Sequence, residues 1–532
     1  MTAYLLHHLL RDSAERHGDK EALVHRDTRL GYADLWRAAQ GVASGLREAG
    51  VRPGDRVGVL LDPSPALPVA LFGIAAAGAV FVPMHHGLFP EQIEHIVRDC
   101  GMACLVTDAA RWQRLGGGLQ SCDALSRVAL TGQVADDGNR TDAVAIHAFD
   151  GWCASGRAAP APHRIGRDLA AILYTSGSTG KPKGVMLSHA NLLAGSAIVS
   201  EYLGIGPSDR ILAALPFSFD AGLNQLLTAI RQGGTCVLIR FLFAHEIVET
   251  MARERVTGLA GVPPLWNLLV QDSSRLRSTS LPALRYVTNT GGALPLPTLA
   301  RLREALPETD VVLMYGLTEA FRSTYLPPEE LDRRPTSMGK AIPNTEILVL
   351  DDAGRPCAPG EIGELVHRGP TVSMGYWGQP ELTAKVLRPN PLPPPGTVGG
   401  ELVCYSGDLV CTDEDGFLYF VGRRDNQIKS AGFRISPTEV EQALSRSGPV
   451  RDAAVIGIPD DALGQRLVAC VVPQEGSDLD VPALLAGVSR LLPRHMVPQV
   501  VDVMDDLPKT GSGKIDYPAL RRRALAEAPG HG

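Results

Sequence analysis

YTSGSTGKPKG, residues Tyr174 to Gly184, follows directly on the apolar run Leu169-Ala170-Ala171-Ile172-Leu173. Such a run predicts a buried strand, and the loop after it leaves the sheet with backbone N–H groups free to face anions. Lys181 and Lys183 add positive charge, so the segment is suited to a polyphosphate. It is not a Walker A loop, because the second glycine counted from Gly177 is replaced by Pro182. Gly177-Ser178-Thr179-Gly180 also lacks the Gly-x-Ser-x-Gly spacing of a hydrolase nucleophile. A Gly/Ser-rich linker is the other meaning of this composition, but a linker seldom follows a buried strand or carries two lysines around a proline.

The rest of the chain sets the scale. Its 532 residues exceed one compact core, so at least two domains are expected. A 45% hydrophobic and 20% charged composition is that of a soluble globular protein. A net charge of -7 argues against a nucleic-acid partner, which would call for a basic surplus, and points to small metabolites. The nine cysteines form no Cys-x-x-Cys pair and no zinc spacing, which suggests reduced thiols and a cytoplasmic location. MTAYLLHHLLRDSAERHG at the N-terminus reads as an amphipathic helix rather than a secretory leader. The stretch from Val69 to Val82 is too short and glycine-broken for a membrane span. It reads as a buried helix running into a strand, with Gly73 and Gly78 allowing close packing.

From Ala22 to about Leu313, strand-like runs at Arg56 to Leu60, Ala103 to Val106, Thr235 to Ile239 and Asp310 to Leu313 alternate with helical patterns, the rhythm of a parallel α/β architecture. From Glu346 to Val421 short strands separated by Gly, Pro and Asp suggest a small β-subdomain. Within it Pro389 to Gly400 reads as irregular loop. After Gly422 a compact α+β pattern resumes. The expected class is α/β. A large N-terminal domain over 1–424 comprises α/β subdomains 1–165 and 166–345 and a β-subdomain 346–424, and a small α+β domain follows over 425–532.

Five further segments join the first: NTGGALP from Asn289, MYGLTE from Met314, YSGD from Tyr405, GRRDNQIKSAGFRI from Gly422 and PKTGSGKI from Pro508. In this order, and over essentially the whole chain, they resemble the AMP-forming adenylating superfamily of acyl-CoA synthetases, peptide-synthetase adenylation domains and luciferases. The resemblance implies that a carboxylate attacks the α-phosphate of ATP, releasing pyrophosphate, and that a thiol then takes the acyl group. It implies that Thr175, Ser176, Gly177, Ser178, Thr179, Gly180 and Lys183 hold the β- and γ-phosphates. Gly291, Gly292 and Ala293 would line adenine, with the Tyr315 ring stacked on it and Gly316 beside it. Thr318 would touch the α-phosphate and Glu319 would bind Mg2+, a hard cation suited to carboxylate oxygen. Asp408 would take the ribose hydroxyls, assisted by Arg423. Lys514 would bridge carboxylate and phosphate in the transition state. Asp425 would be the hinge of a mobile C-terminal domain whose rotation brings the Lys429 to Gly432 segment in for the thioester step. Viewed alone, Glu319 and Asp408 are ordinary surface carboxylates and Lys514 a solvated lysine; the ordered motifs give them meaning.

In LPFSFDAGLNQLL, from Leu215, Asp220 stands where amino-acid-activating members of the family place the partner of the substrate ammonium. A carboxylate beside a carboxylate-binding site is costly without a cation, which an amino acid supplies. The competing local role is an N-cap for a helix starting at Ala221. Ala221, Asn224, Thr290, Met314 and Ser323 are expected around the pocket. The phrases around Asp220, Gly258 and Met314 resemble stand-alone L-prolyl-AMP ligases and also exosortase-A-associated acyl ligases, which makes L-proline the first candidate. With 18 residues after Lys514, the thiol is expected on a carrier protein acting in trans, or on CoA.

Overall fold

The computed structural model describes residues 3–119, 121–132, 144–158, 160, 162–176, 182–396, 399–424, 428–430, 433–460, 463–510 and 514–527. The chain divides into two compact units, Met1–Ile347 with His367–Tyr405, and Leu348–Val366 with Ser406–Gly532. The class is α/β, a large N-terminal part and a small C-terminal one.

Two sheets form the larger unit among the described residues. The first runs, in spatial order, Ala145–Ala148, Arg127–Thr131, Cys104–Asp108, Arg56–Leu60, Val80–Pro83, Leu169–Ser176 and Pro182–Ser188. Its strands are parallel except the last two, which form an antiparallel hairpin. The second runs Lys340–Ala341, Thr324–Leu326, Asp310–Tyr315, Tyr286–Asn289, Gly258–Gly261, Arg210–Ala213, Thr235–Leu238, Glu21–His25 and Thr28–Gly31. Its centre is parallel, from Asp310–Tyr315 across to Glu21–His25. Contiguous subdomains 1–165 and 166–345 are therefore not what the sheets follow. The N-terminal hairpin joins the second sheet through the pairing of Leu23 with Cys236, and the 169–188 hairpin joins the first through Phe81 and Ala171. Hydrogen bonds secure the N-terminal crossing: Tyr32 Oη donates to Gly234 O at 2.6 Å, Ser13 Oγ to Ile230 O at 2.6 Å and Thr235 Oγ1 to Glu21 O at 2.8 Å.

The helix Ala66–Ala77 is buried from Leu67 onward, and ends on Gly78, whose φ of 78° is the left-handed conformation that glycine adopts at no steric cost. At Gly73 a Cβ would lie 2.7 Å from Val42 Cβ, so glycine sets how closely this helix meets Tyr32–Glu48. The next strand is Val80–Pro83, as the pattern from Val69 to Val82 predicts. Among the described residues no helix is long and apolar enough to cross a membrane. Leu387–Pro389 is a short strand paired with Leu402–Cys404, so the irregular segment begins one residue later than the prolines suggest.

The smaller unit holds a three-stranded sheet, Val450–Asp460 antiparallel to Gly464–Pro473, with Val500–Val503 parallel to the latter. Alternation along the strands serves two cores: Val455, Leu467 and Val471 pack with Val440, Leu444 and Val488, whereas Ala454, Ile456 and Cys470 pack with Leu507 and Leu520. Helices Pro437–Ser447 and Val481–Leu491 thus cover one face, and Tyr517–Glu527 the other.

Glu441 joins these layers. Its carboxylate accepts from Val455 N at 2.8 Å and Tyr517 Oη at 2.9 Å, and burial pushes the carboxyl up to about 7. A carboxyl whose folded pKa is raised favours folding below its unfolded value and loses that contribution as pH rises through the folded value. Glu441→Gln keeps an acceptor but removes the titration. It is expected to gain stability over wild type between pH 5 and pH 8, by roughly 3 kcal/mol at most. Denaturant melts at the two pH values check this; a difference that does not grow with pH contradicts it.

Candidate active site

Tyr174 to Ser176 and Pro182 to Gly184 are paired in the edge hairpin. Thr175 pairs with Lys183 and Ser176 with Pro182; Gly177, Ser178, Thr179, Gly180 and Lys181 lie outside the described residues. Residues directly opposite in an antiparallel pair share a face, so Thr175 and Lys183 project from the same side of the hairpin. Behind it Tyr174 Oη donates to Asp99 Oδ2 at 2.5 Å, and Trp377 Nε1 to Asp99 O at 3.1 Å. Trp377 N also donates to Gly184 O at 2.8 Å. The hairpin stem is thus anchored on both sides.

The expected adenine and phosphate segments leave the C-terminal ends of adjacent parallel strands, where open α/β sheets bind ligands. After Tyr286–Asn289, Gly291 has a φ of 77°, and Asn289 Nδ2 donates to Gly292 O at 2.9 Å. After Asp310–Tyr315 come Gly316, Thr318 and Glu319. A Cβ on Gly316 would lie 3.1 Å from Arg322 Cα and 3.3 Å from Phe321 O, so the returning chain passes tightly against this glycine. Ser373 N donates to Glu319 O at 2.8 Å and Tyr376 Oη to Glu319 Oε1, which fixes the carboxylate and leaves Oε2 for another ligand. Tyr376 was not singled out in the sequence; nothing local marks it as the support of Glu319.

Of the residues expected around the pocket, Ala221 and Asn224 lie on the helix Asp220–Gln232, Thr290 follows the strand Tyr286–Asn289, Met314 lies on Asp310–Tyr315 and Ser323 precedes Thr324–Leu326. Asp220 is the first residue of that helix; the N-cap is Phe219, and no capping hydrogen bond is made. The N-cap role is therefore not what Asp220 performs. Its side chain is 16% exposed, and its nearest cation is Arg322, with Nη1 3.6 Å from Oδ2 and a side chain only 3% exposed. Ala221, Asn224, Thr290, Met314 and Ser323 are all buried. Met314 Sδ accepts from Tyr202 Oη at 2.8 Å. Ser323 is held by Tyr315 O, 3.1 Å from its N, and by His367 Nδ1, 3.0 Å from its Oγ. Burial pushes His367 down to about 3, so its ring is neutral there.

Buried polar atoms are usually paired, yet Ser218 Oγ, Asn224 Oδ1, Thr288 Oγ1, Asn289 Oδ1 and Arg322 Nε have no partner among the described residues. All follow or end the parallel strands of the second sheet, or lie in the helix beginning at Asp220. The sequence reading missed Arg322, although it is the one charged residue in Ala320-Phe321-Arg322-Ser323-Thr324, a segment otherwise suited to burial. Beside Ser218 a small, partly open and mostly apolar pocket is lined by Leu61, Met84, His85, Phe217 and Leu238. Burial lowers His85 to about 4, so this pocket carries no charge from it at neutral pH.

In the smaller unit Asp408 and Arg423 are register partners on adjacent strands, with Arg423 Nη1 2.9 Å from Asp408 Oδ1. Asp408 N donates to Ser406 Oγ at 3.0 Å, and Ser406 Oγ to Leu365 O at 2.7 Å. Lys514 is exposed, and its carbonyl accepts from Thr510 N at 2.7 Å. Lys429 lies on the strand Ile428–Ser430. Asp425 and Gly432 lie outside the described residues.

The chain matches the AMP-binding enzyme family over residues 10–377 and the AMP-binding enzyme C-terminal domain over 439–514. Its relatives include feruloyl-CoA synthase from Amycolatopsis sp, 35% identical over 94% of this chain and 95% of that protein. Another is the L-proline--[L-prolyl-carrier protein] ligase of Streptomyces coelicolor, 32% identical over 98% of this chain and 96% of that protein. Among solved structures it is similar to the anthranilate CoA ligase AuaEII in complex with anthranoyl-AMP, with a TM-score of 0.86 and 25% identity over 99% of each chain. The chain belongs to the AMP-binding enzymes, as an AMP-forming ligase that uses ATP to adenylate a carboxylic acid.

Proposed function

We propose that the acid is an amino acid and that its acyl group passes to the phosphopantetheine thiol of a separate carrier protein. Asp220 carries this reading. It is a largely buried carboxylate that caps no helix and accepts no hydrogen bond from the described residues, so it retains its capacity for a substrate ammonium. The α-carboxylate of the amino acid attacks the α-phosphorus of ATP, the bond from that phosphorus to the α,β-bridging oxygen breaks, and pyrophosphate leaves with the electron pair. The carrier thiol, losing its proton, then displaces AMP from the acyl carbon.

In this reading Thr175, Ser176, Lys183 and the segment from Gly177 to Gly180 hold the departing phosphates, Gly291 to Ala293 with Tyr315 and Gly316 hold the base, and Asp408 with Arg423 holds the ribose. Thr318 meets the α-phosphate. Among the described residues no group of three or more His, Cys, Asp or Glu side chains forms a metal cage. A single oxygen donor at Glu319 suits Mg2+, which binds through one or two carboxylates plus substrate phosphates and would neutralise phosphate charge there. Lys514 serves the first step and the Lys429 to Gly432 segment the second, with Asp425 as the hinge of a mobile C-terminal domain over 425–532. All nine cysteines are free thiols, which supports a cytoplasmic setting.

L-proline heads the panel to be tried, given the phrases shared with prolyl ligases and the relative of that name. A second reading, a CoA ligase for a non-amino acid, is favoured by the relative named feruloyl-CoA synthase and by the mostly apolar pocket beside Ser218. ATP–pyrophosphate exchange over amino acids and unaminated acids separates the two; exchange only with unaminated acids discards the amino-acid reading.

Asp220→Asn is expected to raise KM for the amino acid about 100-fold while KM for ATP changes little. A fall in melting temperature with no such selectivity overturns the assignment. Lys514→Ala is expected to lower exchange at least about 100-fold while thioester formation from supplied acyl-adenylate persists; equal loss of both steps contradicts it. Tyr376→Phe frees the Glu319 carboxylate and is expected to raise the Mg2+ concentration for half-maximal exchange several-fold, roughly the effect of one charged hydrogen bond. An unchanged Mg2+ titration counts against the placement of the ion at Glu319.

A further inference from the structure

Arg322 is the least satisfied charge in the larger unit's described pocket. Its side chain is 3% exposed, its Nε has no partner, and the nearest carboxylate oxygen, Asp220 Oδ2, lies 3.6 Å away, beyond hydrogen-bond reach. Arginine pairs that serve the fold of this chain look different. Arg111, whose side chain is 12% exposed, meets both Asp62 and Asp108 within hydrogen-bond distance, and Arg334, 10% exposed, meets Glu330. A guanidinium brought out of water for structure is paired closely, because an isolated buried charge is expensive. The Arg322 guanidinium instead turns beside the nucleotide segment, with Nη1 3.6 Å from where a Cβ on Gly316 would stand.

We infer that Arg322 is a specificity-determining residue that receives a second hydrogen-bond-accepting group of the acid, a carboxylate or carboxamide distal to the one that reacts. The inference rests on the reading of this pocket as the acid site and deepens it. Asp220 takes the ammonium and Arg322 the distal acceptor, so the loose pair opens to hold a substrate bearing both. The fork of guanidinium donors matches a planar carboxylate or amide. Asn224 and Ser218, whose buried polar atoms also lack partners, extend the polar lining on the same helix and the loop before it. L-Proline, first in the panel on likeness to prolyl ligases alone, has no acceptor beyond its reacting carboxylate and would leave the guanidinium buried and unpaired, so this inference moves it below acids that bear a distal acceptor.

Exchange kinetics with the full chain test this, using L-aspartate, L-asparagine, L-glutamate, L-glutamine, L-proline, L-alanine, succinate and ferulate. For at least one of the four amino acids with a distal acceptor, the wild type is expected to show kcat/KM at least about 100-fold above that for L-alanine and L-proline. Arg322→Met is expected to erase most of that gap, mainly through KM, and Arg322→Lys to restore part of it. The D220N/R322M double variant leaves no unpaired charge and is expected to lose the same preference, so the comparison survives if the single variant folds poorly. Equal use of L-alanine or L-proline by the wild type overturns the inference while leaving the amino-acid reading standing. So does a fall in kcat alike for every acid in Arg322→Met, which would make Arg322 an aid to the reacting carboxylate or to Asp220. Exchange with succinate but with no amino acid supports the role of Arg322 and discards the ammonium site. Exchange with ferulate alone discards both.

Discussion

A parallel strand has to be entered from the same end as its neighbour, so every connection crosses the sheet and every C-terminal end opens on one rim. That constraint governs the larger unit. It brings the ends of Tyr286–Asn289 and Asp310–Tyr315 side by side, with the glycines and polar residues that follow them. The antiparallel return through Thr324–Leu326 then brings Arg322 and Ser323 back to the same rim, since Tyr315 pairs with Thr324. Residues about a hundred positions apart, such as Asp220 and Arg322, meet because both follow from this geometry.

The rim is also where the fold leaves polar groups unspent. Elsewhere in the chain arginines such as Arg111 and Arg334 close on their carboxylates, and beside Ser323 the buried, neutral His367 has two hydroxyl neighbours, Ser323 Oγ at 3.0 Å and Thr371 Oγ1 at 3.1 Å. At the pocket the pairing is incomplete. A binding site for a polar molecule has to forgo internal hydrogen bonds that a core would make, because those donors and acceptors are required by the ligand. Glu319 shows the intermediate case: Tyr376 holds one oxygen and the other is left available.

Much of this was legible in the chain itself. Apolar runs located the strands Arg56–Leu60 and Asp310–Tyr315, and the last domain's helices and strands, because burial on both faces leaves a continuous apolar signature. Which sheet each strand joins was not legible. Glu21–His25 pairs with a strand some two hundred residues later, and no local pattern encodes so distant a partner. Ordered motifs pointed to Glu319, Asp408 and Lys514 as candidates, but not to what surrounds them. Tyr376 and Arg322 have the composition of ordinary neighbours; only the fold brings one to Glu319 and the other to Asp220. The helix-cap role for Asp220 was a sound local alternative that the helix start at Asp220 itself removes.

The N-terminal crossing has a consequence for synthesis. Glu21–His25 bears the buried Ala22, Leu23 and Val24, yet its parallel partner is Thr235–Leu238. At 5–20 residues per second, that partner follows roughly 10–40 s after the first strand. Throughout that interval an apolar strand paired on one edge with Thr28–Gly31 has its other edge open, while Arg56–Leu60 already has its neighbours on both sides in hand. The first sheet can therefore form ahead of the second, and the emerging chain depends on protection of its own first strand until the far side of the second sheet arrives.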